Sequence, residues 1–147
     1  MSKKKAKKAV KKPIRLAARD YRALAQFRHA LRQFLAFSEE AAARAGLTPA
    51  QHQALLAIKG MPRREQISVG DLAQWLGVRH HSCVGLVERL VVLGLVVKRS
   101  DPADRRRVFL GLTARAERKL ADLSAVHRDE LRRRADALGL LLKAIRR

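Results

Sequence analysis

The hydrophobic pattern of this chain changes its period at Gly94, and this change is the strongest constraint on the fold. Before Gly94, apolar residues recur at spacings of three and four, which is the period of amphipathic helices. After it, residues 95–98 predict one short strand, and residues 108–112 alternate with the period of two that predicts another. Residues 100–106 join them, so we predict a single β-hairpin with a basic tip in a mostly helical chain.

Long amphipathic helices are predicted at both ends of the folded region. One begins at Asp20 and stops at Gly46, and the other begins at Thr113, with Gly139 as a point where it could be interrupted. Their apolar stripes consist of Tyr21, Leu24, Phe27, Leu31, Phe34 and Leu35 in the first, and of Ala116, Leu120, Leu123, Leu131, Leu138, Leu141 and Ile145 in the last. Such stripes are longer than a small domain can cover, so we expect them to pair with a second copy of the chain.

A second helix is predicted directly after Gly46. Thr48 and Gln51 have the spacing of a capping box, and Pro49 stands where a missing N–H costs nothing. We expect its residues Leu55, Leu56 and Ile58 to face inward. Residues 67–69 beyond it are too few to form more than a strand fragment.

Two compact helices follow, over residues 71–76 and about 80–93, with Gly77 in the turn between them. Short helices joined in this way are typical of a helix-turn-helix. With the hairpin after it, this order predicts a winged helix. An α-helix fits the major groove of DNA, where all four base pairs can be distinguished, and a thin basic hairpin can reach the minor groove or the backbone.

The charge supports a polyanionic partner, because 33 Lys and Arg face 13 Asp and Glu, a net charge of +20. Residues 1–19 contain nine Lys and Arg and no acid, and we expect a disordered arm there that acts as a phosphate-binding arm or as a solubilising tail. An anionic membrane surface is the competing partner. The chain has no apolar run long enough to span a bilayer, so we expect a cytoplasmic, nucleoid-associated protein that binds no membrane.

The second helix of the helix-turn-helix should bury Cys83, Leu86, Val87 and Leu90 and present its opposite face to DNA. The DNA-binding residues predicted on this helix are Arg79, His80, His81, Ser82, Gly85 and Arg89. Gly85 permits close approach to the duplex or, alternatively, tight helix packing. Arg89 meets a phosphate or, alternatively, forms a salt bridge on a solvated surface.

From about Tyr21 onwards the sequence resembles the MarR family of bacterial regulators. The matching segments are Leu47-Thr48-Pro49-Ala50-Gln51, Asp71-Leu72-Ala73, Leu90 through Gly94-Leu95-Val96, Asp101-Pro102-Ala103-Asp104-Arg105-Arg106 and Leu112-Thr113. The resemblance implies a winged-helix domain over residues 20–147, with a DNA-binding core at about 60–112. It also implies a homodimer that pairs through helices at about 20–46 and 113–147.

The same resemblance implies roles for individual residues. It adds Asp104, Arg105 and Arg106 of the wing to the DNA-binding residues. The resemblance implies that Arg106 enters the minor groove of the DNA, while Asp104 holds the tip of the wing in shape. Cys83 stands where the family usually has an aliphatic residue, and Val84 and Gly85 replace positions that are often Thr and Arg. We therefore expect sparse base readout from the middle of this helix.

On this basis we predict a repressor that binds a palindrome-like operator in double-stranded DNA. The family often has an effector pocket for small, frequently aromatic acids. Residues near such a pocket here are Phe27, Arg28, Phe34 and His52.

Other functions remain open at this stage. A nucleoid-type protein that coats DNA without sequence preference would explain the charge equally well. A metal-responsive regulator could use His29, His52, His80, His81, His127 and Cys83, although their spacing is not that of a compact ligand set. A redox switch would use Cys83, which we expect to be an unreactive core residue. We find no catalytic motif and predict neither an enzyme nor a cofactor.

Overall fold

The structure, a computed structural model, describes residues 16–145 of the chain. Within this range the elements are α1 (Ala18–Arg44), α2 (Pro49–Gly60), a 3-10 turn (Arg64–Gln66), α3 (Val69–Leu76), α4 (His80–Val92), β1 (Val96–Ser100), β2 (Val108–Leu112) and α5 (Ala114–Ile145). The predicted fold class, mostly helical with one β-hairpin wing, is confirmed. Residues 18–19 of the predicted arm belong to α1, and residues 1–15 lie outside the described range.

Capping boxes define where two of the central helices begin. At α2 the predicted box is present, with Thr48 Oγ1 accepting from Gln51 N at 3.2 Å and Gln51 Oε1 accepting from Thr48 N at 3.0 Å. At α3 an equivalent box joins Ser68 to Asp71, and its hydrogen bonds lower the pKa of the Asp71 carboxyl. The helix therefore begins at Val69, two residues before the position predicted from the sequence.

The turn between α3 and α4 depends on Gly77. Its φ of 67° lies in the left-handed region, where a side chain would be strained. Val78 N donates to Ala73 O at 3.0 Å across this turn, which closes the end of α3. The turn thereby sets the angle at which α4 leaves α3 and completes the helix-turn-helix.

The wing is an antiparallel pair in which Val96 faces Leu112 and Ser100 faces Val108. The predicted strand fragment at residues 67–69 is wrong, because in the described residues the sheet consists of β1 and β2 and Val69 already belongs to α3. One backbone hydrogen bond, from Leu110 N to Ile67 O at 2.8 Å, nevertheless joins this segment to the hairpin. This bond attaches the base of the wing to the start of the helix-turn-helix.

One hydrophobic core joins α2, α3, α4 and the base of the wing. Its largest fully buried side chains are Leu55, Ile67, Leu72, Leu90, Leu110, Val87, Val96 and Cys83. The predicted inward set of α2 is confirmed for Leu55 and Ile58 and is wrong for Leu56, whose side chain is exposed beside Trp75 at the surface between α2 and α3. The apolar residues of α2 surround more of the helix than its buried face, so periodicity alone misassigns Leu56.

The end of α4, the start of β1 and the start of α5 meet at one point. Thr113 Oγ1 donates to Gly94 O at 2.8 Å and accepts from Ala116 N at 3.1 Å, while Thr113 N donates to Leu95 O at 3.1 Å. Arg115 Nη1 donates to Leu93 O at 3.0 Å. We call residues 93–95 with Thr113 and Arg115 the α4–α5 junction. It caps α5 and satisfies carbonyl groups left free at the end of α4.

Helices α1 and α5 pack along each other and leave much apolar surface uncovered in a single protomer. Only Ala23, Ala41 and Ala42 of α1 are buried. The exposed apolar side chains include Tyr21, Leu24, Leu31 and Leu35 of α1 and Val126, Leu131 and Leu142 of α5. Helix α5 runs without interruption through Gly139, because one helical glycine costs only about 1 kcal/mol and its neighbours continue the helix.

Two histidines lie where α1, α2 and α5 meet. The rings of His52 and His127 are 4.8 Å apart, and Phe34 and Phe37 approach the His127 ring at 6.0 and 5.7 Å. His127 Nδ1 lies 2.6 Å from the Leu123 carbonyl oxygen, which can only accept, so this nitrogen carries a proton. Burial, and secondly the nearby His127, lower the pKa of His52.

The lowered pKa of His52 predicts a loss of stability in acid. The unfolded chain protonates this histidine near its ordinary pKa of about 6.5, whereas the folded chain resists protonation until a lower pH. The free energy of unfolding should therefore decrease as the pH falls through about 6.5, and His52→Leu should make this decrease shallower.

Urea unfolding at several pH values between 8 and 5 measures both slopes. His29→Leu, which removes a histidine from the exposed surface of α1, is the matched control. An equally steep decrease in the His52→Leu variant and the unchanged protein would contradict the assignment.

Candidate nucleic-acid interface

The first turn of α4 presents the predicted recognition residues to solvent. Arg79 is the N-cap residue, and His80, His81 and Ser82 follow it in the helix, all with exposed side chains. The opposite face is anchored as predicted, since Cys83, Leu86, Val87 and Leu90 are buried. The helix is therefore held by one side only, and the other side is available to a ligand as large as a DNA duplex.

Gly85 lies in the middle of that free side. A Cβ atom built at this position would meet a single neighbour within 4 Å, the Arg89 Nη1 atom at 3.5 Å, and no other helix. Among the residues that the structure describes, no second helix packs against Gly85, which argues against the alternative of tight helix packing. The remaining interpretation is that the missing side chain lets another molecule approach the helix backbone.

Arg89 projects from the same side of α4. Its side chain is exposed, its guanidinium approaches Gly85, and it forms no salt bridge with any residue that the structure describes. This arrangement favours the phosphate contact over the salt-bridge alternative, because an unpaired guanidinium retains its donors for an anion.

The tip of the wing is shaped by two aspartates. Asp101 Oδ1 accepts from Ala103 N at 2.9 Å, and Asp101 N donates to Arg107 O at 2.9 Å. Asp104 O accepts from Arg107 N at 2.9 Å. Because its polar backbone groups are satisfied locally, the tip has a defined shape although it stands away from the core.

Asp104 also holds Arg106. Its Oδ1 accepts from the backbone N and from Nε of Arg106, both at 3.1 Å, and the side-chain bond first and the backbone bond second lower the pKa of the Asp104 carboxyl. The Arg106 side chain is nevertheless 92% exposed. A guanidinium that is oriented but open to solvent can enter a narrow groove without first losing much rotamer freedom. Arg105 beside it is exposed as well.

Arg107, Phe109 and Lys98 lie beside the candidate interface and were not predicted as part of it. Arg107 lies 5.4 Å from the centre of the Phe109 ring and 3.9 Å from the Asp101 carboxylate, which adds a third arginine to the tip. Residues 107 and 109 are two apart in an extended segment, so their side chains lie on the same face, and the sequence alone could have indicated this contact. Lys98 of β1 forms a salt bridge with Glu88 of α4 and so connects wing and helix, a contact between separate elements that periodicity does not reveal.

The structure gives less support to the redox-responsive and metal-responsive alternatives than to the DNA interface. Burial raises the pKa of the Cys83 thiol, which makes it a poor nucleophile and favours its role in the core. Among residues 16–145, no three His, Cys, Asp or Glu side chains are grouped so that they could hold a metal ion.

Two other findings concern the membrane and the predicted effector pocket. Across the same part of the chain, no helix combines the length and apolarity needed to cross a bilayer. Of the predicted pocket residues, Phe34 and His52 meet through His127, whereas Arg28 is exposed on α1.

Comparison with known proteins adds the family context. A sequence model of the MarR family matches residues 45–107, which contain α2, α3, α4, β1 and the tip of the wing. No curated protein sequence matches the chain.

Solved structures resemble the chain over a longer range. The transcriptional repressor CouR bound to a 23-mer DNA duplex is 30% identical, with a TM-score of 0.60 over 82% of this chain and 89% of that one. CouR from Rhodococcus jostii bound to p-coumaroyl-CoA is 27% identical, with a TM-score of 0.60 over 69% of each chain. A MepR mutant from S. aureus bound to an oligodeoxyribonucleotide is 19% identical, with a TM-score of 0.65 over 80% of this chain and 82% of that one.

The free space at Gly85 yields a prediction in which stability and DNA affinity change in opposite directions. Gly85→Ala should stabilise the fold by about 0.5–1 kcal/mol, because alanine loses less backbone entropy in a helix and its Cβ meets only Arg89. The same methyl group should weaken DNA binding by obstructing the approach of the duplex. Urea unfolding and fluorescence anisotropy with labelled DNA measure the two effects.

Gly139→Ala is the matched control, since a Cβ at Gly139 in α5 would meet nothing within 4 Å. It should stabilise the protein to a similar extent and leave DNA affinity unchanged. A Gly85→Ala variant that binds DNA as tightly as the unchanged protein would remove Gly85 from the interface.

Proposed function

This chain belongs to the MarR family of DNA-binding transcription regulators, and on that basis we propose that it represses transcription as a homodimer bound to a palindrome-like operator. The observation that carries the proposal is the state of Arg106, which is oriented by Asp104 yet almost fully exposed at the tip of the wing. Such an arrangement suits an arginine that reads a groove of fixed geometry. We place its action on the chromosome in the cytoplasm.

Helix α4 and the wing, the two elements proposed to contact DNA, lie next to each other in the fold. Residues 79–82 of α4 are exposed at its start, and the Glu88–Lys98 salt bridge joins this helix to the strand that carries the wing. A helix in the major groove and an arginine in the neighbouring minor groove would together cover about one half-site of the operator. Two protomers related by two-fold symmetry would read a palindrome with half-sites about 34–36 Å apart.

The uncovered apolar surface of α1 and α5 supports the dimer. Leu24, Leu31 and Leu35 of α1 are exposed in the single protomer, as is Leu131 of α5. Covering these side chains with the same helices of a second copy would remove a large apolar surface from water. Sedimentation at micromolar concentration should give twice the mass of the chain, and a monomeric mass would contradict the dimer.

A small-molecule effector is a further part of the proposal. CouR, 27% identical to this chain, has been solved with p-coumaroyl-CoA bound. In the present structure a groove of about 520 Å³ lies between α1 and α5, lined by the basic Arg44, Arg115 and Lys119, by the acidic Asp122, and by the apolar Leu123 and Val126. Three basic groups against one carboxylate, next to apolar side chains, suit an aromatic acid. Titration of such acids into the protein–operator complex should release DNA, and unchanged affinity throughout would remove the effector from the proposal.

Sequence preference separates a specific regulator from a protein that coats DNA. Duplexes selected from a random pool by the full-length protein should converge on a two-fold symmetric sequence. That sequence should bind at least about 10³-fold more tightly than bulk DNA at fixed salt. Equal affinity for the selected and bulk DNA would favour the nucleoid-type alternative.

Arg106→Ala should weaken operator binding by at least about tenfold, because charge-assisted hydrogen bonds contribute about 1.5–3 kcal/mol each. Asp104→Ala should cause a smaller loss, about two- to tenfold, since Arg106 is retained but must be ordered on binding. Anisotropy titration at fixed salt measures both variants.

Arg128→Ala, which removes an equally charged exposed side chain from α5, is the control and should bind as the unchanged protein does. All variants should retain the same sedimentation mass. Arg106→Ala with unchanged affinity would refute the assignment of the wing.

A further inference from the structure

The outward side of α4 contains a compact group of four residues. His81, Val84, Gly85 and Glu88 are spaced by three, four and seven along the helix, so they are neighbours on its surface. We call this group the α4 diamond, with His81 and Glu88 at its ends and Val84 and Gly85 side by side in the middle. It lies opposite the buried Cys83, Leu86, Val87 and Leu90.

The side chains of the diamond differ in how they are held. Glu88 forms the salt bridge with Lys98, which directs its carboxylate towards the wing. Gly85 has no side chain, and a Cβ there would meet only the end of the flexible Arg89 side chain. Val84 is 38% exposed. Its methyl groups are therefore the apolar atoms that stand out from the middle of the diamond, beside a position where the backbone can approach a ligand closely.

The chemistry of a valine restricts what it can recognise in the major groove. Base edges there present hydrogen-bond donors and acceptors and one apolar group, the C5-methyl of thymine. Valine has no polar side-chain atom, so a base edge offers it only this methyl group as a favourable contact. Building on the proposed operator binding, we infer that Val84 determines specificity by contacting the C5-methyl group of a thymine in each half-site.

Deoxyuridine provides the test, because it lacks only the C5-methyl group of thymidine. Each thymine of the selected operator is replaced in turn, symmetrically in both half-sites, and binding of the full-length protein is measured by anisotropy at fixed salt. One thymine position per half-site should be sensitive. Loss of one buried methyl contact should weaken binding about fourfold per half-site, or about fifteenfold for both.

Variants of Val84 connect the effect to this side chain. Val84→Ala should bind the thymine and uracil operators with the same affinity, whereas Val84→Thr, which retains one methyl group, should preserve part of the difference. Val92→Ala removes methyl groups from another exposed position of α4 and should preserve all of it. Thermal unfolding checks that each variant folds.

Three results would overturn the inference. The first is an operator in which no thymine replacement weakens binding. The second is a sensitive thymine that stays equally sensitive in Val84→Ala, which would assign the methyl contact to another residue. If no sequence is enriched in the selection, sequence-specific binding fails together with this inference. An enriched operator that is insensitive to uracil overturns the role of Val84 alone.

Discussion

The α4–α5 junction is the contact on which the arrangement of the whole protomer depends. Helix α4 ends here, the first strand of the wing begins, and α5 starts close by. Thr113 forms hydrogen bonds to the backbone of both Gly94 and Leu95. In the same region, Arg115 Nη1 donates a hydrogen bond to the carbonyl oxygen of Leu93. Any change in the direction of α5 therefore reaches α4 and the wing together, because they leave from the same point.

The net charge of +20 is divided between two kinds of basic residue, a dense group near the N-terminus and individual side chains in the folded part of the chain. Nine of the basic residues lie in residues 1–19, where they could attract any polyanion. In the folded part of the chain, several basic side chains are instead placed by specific partners. Asp104 orients Arg106, Asp101 and Phe109 flank Arg107, and Glu88 holds Lys98 against the recognition helix. Acidic residues of this part of the chain thus fix the positions of neighbouring basic side chains.

The sequence predicted the five helices, the hairpin and their order, because these depend on local patterns, but not the 3-10 turn at Arg64–Gln66. The 3.6-residue period, the Thr48 capping box and the change at Gly94 each act over a few residues, and the structure contains the corresponding helices and hairpin. The early start of α3 was missed although Ser68 and Asp71 have capping-box spacing, because residues 67–69 had been interpreted as a strand fragment.

Interactions between separate elements were harder to predict from the sequence. The salt bridge of Glu88 with Lys98 depends on how the wing folds back on α4, and the exposure of Leu56 depends on the packing of α3 against α2. The exposure of residues 79–82 was predicted correctly, but only the structure could show that, among the residues it describes, no other helix packs on Gly85.

The unbroken course of α5 through Gly139 has a mechanical consequence. At about 1.5 Å per residue, its 32 residues span about 48 Å from the junction with the recognition helix to the far end. Over that length a tilt of roughly 4° displaces one end by about 3.4 Å, the rise of a single base step. Because the helix is continuous over this length, a small tilt at one end becomes a displacement of several ångströms at the other.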